Sequence, residues 1–230
     1  MLEEQQGASK QRNFKNTNIR FSIRMFYVLP PIDTVELIDL LIKAGYTRTA
    51  PPTPGRQRGV QFTFTGPIAR KGDIIIDVND ERGILGVASP LPASTIHGFN
   101  EVLQLIKTTL KVDPESMAEF YELIGQCEVE SQISPITKFG QISEKIKVME
   151  EFSKVTGKDT SFFSLRLVPK GEIPNQAEWF DITIEPHLVH ATSTYNISVV
   201  YRSQDKSKVQ KFTEEFLSNV TEILDIIENF

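Results

Sequence analysis

The sequence predicts an α+β protein in which two tandem repeats of strand, helix, three-strand meander and helix build an antiparallel sheet covered by helices on one face. Three observations carry this expectation. Val60, Phe62 and Phe64 alternate with Gln61, Thr63 and Thr65, and Ile74, Ile76 and Val78 alternate with Asp73, Ile75 and Asp77; period-two alternation marks strands with one buried face. Apolar residues elsewhere step by three or four, as in Val209, Phe212, Phe216, Val220, Ile223 and Ile227, which marks amphipathic helices. The order of elements also recurs: the helix stops Gly45 and Gly157 are 112 positions apart, and the meander starts Val60 and Phe162 are 102 apart.

Taken in order, residues 1–17 are polar and predict a disordered tail. The first repeat, 18–112, opens with a strand through Ile19, Phe21, Ile23, Met25, Tyr27 and Leu29 that Pro30-Pro31 stops. Asp33 as N-cap with Glu36 three residues on starts a helix with Val35, Ile38, Leu41 and Ile42 inward. A long Pro- and Arg-bearing loop, Tyr46–Gly59, predicts a projecting, solvent-exposed segment. Three strands follow across Val60–Ser89, punctuated by Gly66-Pro67, Lys71-Gly72 and the turn Asn79–Gly83. Phe99, Val102, Leu103, Ile106 and Leu110 give the next helix. Asp113-Pro114-Glu115 predicts a connecting helix, 113–125, ended by Gly125. The second repeat, 126–230, reads as a strand at 126–133, a helix through about 141–156 with Ile142, Ile146, Met149 and Phe152 inward, strands at 162–168, 179–185 and 195–202, and a last helix, 206–230.

This order of elements resembles the tandem-repeat saddle of the TATA-binding protein family, over most of 18–230 and in topology alone. The resemblance implies one long curved sheet related by a pseudo-twofold axis, and minor-groove DNA binding through a concave face. The expected outward face does not suit that role. It carries Arg20, Ser22, Arg24, Asp73, Asp77, Glu128, Glu130, Arg166, Asp181, Glu185 and Arg202, and its six carboxylates would repel phosphates.

Composition narrows the function classes further. Hydrophobic residues at 40% and charged residues at 24% are those of a folded soluble protein. A net charge of -5 gives no global preference for nucleic acid or anionic membrane. One cysteine, Cys127, permits no intramolecular disulfide and no thiolate zinc cluster. No apolar run is long enough to span a bilayer, and the polar amino terminus is not a secretory signal, so the expectation is a cytoplasmic protein without a membrane partner. Charge is uneven: Lys10 to Lys71 holds eleven Lys/Arg against three acids. That basic region, and within it Arg20, Arg24, Arg48, Arg56, Arg58, Arg70 and Lys71, is the candidate contact site for an anionic partner. A region neutralised within the fold is the plain alternative.

No catalytic, cofactor or metal motif is present. His187 and His190 stand three apart beside Glu185, but in a predicted loop. Asp73, Asp77, Asp80 and Glu81 cluster without the calcium-loop spacing. Cys127 reads as a buried strand residue. Trp179-Phe180 should turn one ring outward, near Phe26 and Val28, as a contact seed. Three functions remain open: a non-enzymatic interaction module that binds a protein partner or self-associates; nucleic-acid binding through residues 10–71; and a ligand-binding or enzymatic domain with a cavity between the sheet and the C-terminal helix.

Overall fold

The computed structural model describes residues 12–26, 32–49, 64–174 and 176–230. Its strands are β1 (Phe14–Met25), β2 (Thr47–Arg48), β3 (Thr65–Lys71), β4 (Ile74–Asn79), β5 (Ile84–Ser89), β6 (Ala118–Glu130), β7 (Leu165–Leu167), β8 (Trp179–Pro186) and β9 (Thr194–Ser203). Its helices are α1 (Thr34–Lys43), α2 (Pro92–Leu105), α3 (Pro135–Glu144), α4 (Val148–Thr156), α5 (Lys206–Glu214) and α6 (Phe216–Asn229). The strands form a single antiparallel sheet in the order β2-β3-β4-β5-β1-β6-β9-β8-β7. Helices cover one face of it, as an α+β reading requires.

The saddle resemblance does not survive. The sheet is open, with β2 and β7 as its two edges, and it neither curves nor closes into a saddle. Order of elements carries no information about sheet curvature, which depends on twist and on bulges. The two sides of the sheet also differ: β2 is added at one edge, two helices, α3 and α4, stand where one was expected, and the last helix breaks at Glu215 into α5 and α6.

The centre of the sheet is the long pair β1/β6, in register from Phe21↔Leu123 to Arg24↔Phe120. Ile19, Phe21 and Ile23 of β1 meet Tyr121 and Leu123 of β6 on the helix side, all at most 5% exposed. The helix expected over 113–125 is therefore corrected. Only Pro114–Met117 is helical, as a 3-10 turn, and Ala118 onward is strand. Phe120, Tyr121 and Ile124 satisfy either period, and pairing with β1 on one side and β9 on the other decides for the strand. Gly125, read as a helix stop, instead seats the ring of Phe216: a Cβ there would lie 2.7 Å from its Cζ and closer still to its Cε2.

Other boundaries move in the same way. β1 starts at Phe14, so 14–17 belong to the sheet and not to a disordered tail; of that tail, 1–11 lie outside the described residues. The strand expected at Val60 lies mostly outside them, and β3 begins five residues later, carrying Pro67 at a register shift between Pro67 and Ala69. Asp33 does cap α1, accepting from the backbone N–H of Val35 and Glu36, yet the buried stripe is Leu37, Ile38, Leu40 and Leu41, with Val35 and Ile42 exposed. Gly45 and Gly157 both adopt positive φ, 88° and 68°, as expected of helix stops.

Candidate interaction surface

Of the seven basic residues expected to meet an anionic partner, three are held by carboxylates within the fold. The Arg20 guanidinium reaches Asp77 with Nε at 2.9 and 3.0 Å and Nη2 at 2.6 Å. The pair lies across β5 over Gly86, where a Cβ would come within 2.6 Å of both partners. Arg24 Nε is 3.1 Å from Glu119. Lys71 Nζ donates to Glu101 at 2.9 Å and sits 5.0 Å over the ring of Tyr46. The Tyr46 hydroxyl donates to the same carboxylate at 2.8 Å; burial and that carboxylate push its pKa well above the ordinary value. Arg48 pairs in register with buried Ala69, and Arg70 with Thr47 and Ile75, so the two stand on opposite faces of the sheet edge. Arg56 and Arg58 lie outside the described residues. Among the described residues, then, Arg20, Arg24 and Lys71 each face a carboxylate, and Arg48 and Arg70 stand on opposite faces of the sheet edge.

The face without helices follows the same logic of internal neutralisation. Pairing register sets Asp77, Gly86, Ser22, Glu122, Arg202 and Trp179 side by side across it. Arg202 donates to Glu122, Nε at 3.0 Å and Nη2 at 2.5 Å, and lies 4.3 Å over Phe120, which Arg24 approaches from 5.5 Å. Arg166 pairs with Asp181. The neighbouring row places Ile75, Ala88, Arg20, Ile124 and Val200 in line. Trp179 is the ring turned to this face and Phe180 packs against the core, but Trp179 is only 7% exposed; Phe26 is exposed, and Val28 lies outside the described residues.

The groups weighed for metal or acid–base chemistry serve the backbone. His187 Nδ1 accepts from the N–H of Val189 and His190, each at 3.2 Å, and its ring stacks on His190 at 5.2 Å. Its Nε2 is 3.7 Å from Glu128, while Glu185 accepts from Asn196. No three His, Cys, Asp or Glu side chains among the described residues are grouped to hold a metal. Asp80 accepts from Thr34 Oγ1 and Phe64 N, and Asp73 from Ser89. Cys127 is buried in β6, where burial first and Glu128 second push its thiol up to about 12.

Two clefts open on the second side of the sheet. One, of about 270 Å³, is lined by Arg12, Glu130, Ser131, Ser193 and Glu228. In it Arg12 is clamped by Asp225 and Glu228, and its Nε and the nearby Tyr195 hydroxyl are buried without partners. The other, of about 410 Å³, lies between α3, α4 and residues 159–161. Between the sheet and the C-terminal helices, the ring of Phe216 packs directly on β6 at Gly125.

Of the helices α1 to α6, α4 buries the fewest residues. Met149 is its one buried residue; Ser153 faces inward too, its Oγ accepting from Thr160 N. Val148, Phe152 and Val155 are 48%, 49% and 86% exposed. At spacings of four and three they share one helix face. The sequence spacing places Phe152 inward with Ile142, Ile146 and Met149; within α4 only Met149 is buried, and Phe152, about 60° around the helix from it, is 49% exposed. The signal that could have found this stripe is its own spacing, which competes with that of Met149. No family model, no curated protein and no solved structure matches the chain.

Proposed function

We propose that this chain is a non-enzymatic, cytoplasmic interaction module that binds a protein surface through α4. The observation that carries this reading is the stripe of Val148, Phe152 and Val155, left exposed on a helix anchored by Met149. A solvated helix turns its polar side outward, and an outward apolar stripe marks a surface that another molecule covers. Exposed Phe162, Phe163 and Val168, beside the edge strand β7, extend the apolar character of this part of the chain. Nucleic-acid binding through residues 10–71 is less well supported, because Arg12, Arg20, Arg24 and Lys71 already face carboxylates. No helix among the described residues is long and apolar enough to cross a membrane. The test is a photo-crosslinking side chain placed at position 155, with position 150 on the opposite side of α4 as control. Protein adducts from 155 alone, lost on Phe152→Asp, are expected; equal yields from both positions overturn the reading.

A further inference from the structure

We infer that the occupant of the α4 stripe is a second copy of this chain, the two α4 helices packing antiparallel about a two-fold axis. The inference rests on α4 being a contact surface and adds what covers it. Val148, Phe152 and Val155 fall within about 60° of helical arc, so they form a narrow seam. On one flank of the seam stand Glu151 and Lys154, which pair with each other at 2.7 Å and are 66% and 68% exposed. On the other flank Met149 and Ser153 turn into the protein.

The order of those two charges selects the occupant. In an antiparallel pair of identical helices, like flanks meet and residue order reverses. With the axis near Phe152, Glu151 of one copy falls opposite Lys154 of the other, and the reciprocal pair forms by symmetry. Parallel packing would instead set the Glu151/Lys154 flank of each copy against the other copy's Met149/Ser153 flank, which turns into the protein, and would leave both charges without a partner across the seam. A two-fold contact needs a self-complementary patch, and this seam meets the requirement with Phe152 at its centre. Three apolar side chains per copy are fewer than an interface of about 800 Å² per partner uses. The dimer is therefore weak, forming at roughly tens to hundreds of micromolar.

Sedimentation velocity on the full chain from about 5 μM to about 1 mM tests this. The wild type is expected to pass from monomer to dimer over that range. Glu151→Lys and Lys154→Glu are each expected to stay monomeric, because each then sets like charges against each other across the two-fold axis. Their equimolar mixture is expected to form the dimer again, because one chain then presents a lysine at both positions and the other a glutamate at both. Both positions are exposed, and Trp179 fluorescence checks that each variant is folded. A wild type that stays monomeric, single variants that still dimerise, or a mixture that does not recover overturns the inference. The crosslinking at position 155 reads out separately whether α4 is a contact surface at all.

Discussion

Gly125→Ala tests how the C-terminal helices seat on the sheet. The glycine lies in β6 at the centre of the nine strands, paired with Ile19 on one side and Val199 on the other. The new methyl would stand 2.7 Å from Phe216 Cζ and 3.0 Å from Cδ2, whereas carbon atoms in contact prefer about 3.5–4.0 Å. The ring must retreat by about 1 Å, and Phe216 is fully buried, at 0% exposure. Overpacking a core costs about 1–3 kcal/mol. The upper end applies here, because the obstacle is a rigid ring at the start of α6, whose Val220, Leu224 and Ile227 are buried behind it. About 3 kcal/mol corresponds to a fall in Tm of roughly 6–12 °C in a chain of this size. Urea unfolding followed by Trp179, the single tryptophan, gives the loss directly. Combining Gly125→Ala with Phe216→Leu should cost less than the sum of the two, by at least about 1 kcal/mol. A loss below about 1 kcal/mol, or strict additivity, would refute this seating of α6.

Further outcomes follow from the ion pairs and the buried thiol. Burial alone would raise the Glu228 carboxyl, but bonds from Arg12 and Ser131 outweigh it and hold it below its ordinary value. Its contribution is thus present above the ordinary glutamate pKa and lost as pH falls through the lower folded value. Glu228→Gln should lower stability near neutral pH by about 2–3 kcal/mol, less than a full buried pair because Asp225 remains on Arg12; acid titration of urea midpoints should show this difference from wild type shrinking below pH 4. Asp77→Asn should cost about 1–3 kcal/mol by leaving Arg20, only 20% exposed, with a neutral partner; equilibrium unfolding with an unchanged m-value is the check. Cys127 should resist a thiol reagent at pH 8 and react at the rate of opening, so labelling that is fast in native buffer and insensitive to urea would contradict its burial. A mobility shift at about 50 mM salt should show no nucleic-acid binding that depends on Arg20, Arg24 or Lys71.

Local chemistry made part of the fold legible. Asp33 announces α1 as its cap, the Asn79–Gly83 turn separates β4 from β5, and alternation around Ile182 and Ile197 finds β8 and β9. Misreadings arise where one pattern fits two structures. Phe120, Tyr121 and Ile124 suit a helix face as well as a strand, and only the presence of β1 and β9 on either side settles the matter. The apolar stripe from Val209 to Ile227 runs unbroken through Glu215, where the backbone turns between α5 and α6. Curvature was not legible at all, since element order leaves twist and edge geometry open. At the candidate surface, the excess of basic residues was visible, but their carboxylate partners come from distant parts of the chain: Asp77 for Arg20, Glu101 for Lys71 and Glu119 for Arg24. The α4 stripe was hidden because Met149 and Phe152 are three apart and suggest a shared inward face, whereas only Met149 is buried and Phe152 lies with Val148 and Val155 on the exposed side.

Whether the α4 stripe is a surface kept for a partner is tested most directly by the stability of Phe152→Asp as a dilute monomer. Phe152, 49% exposed, is not among the side chains that pack against the core, so the free energy of unfolding should stay within about 0.5 kcal/mol of wild type. A loss above about 1.5 kcal/mol would mean that Phe152 is part of the monomer's own packing, and would contradict its assignment to a contact surface.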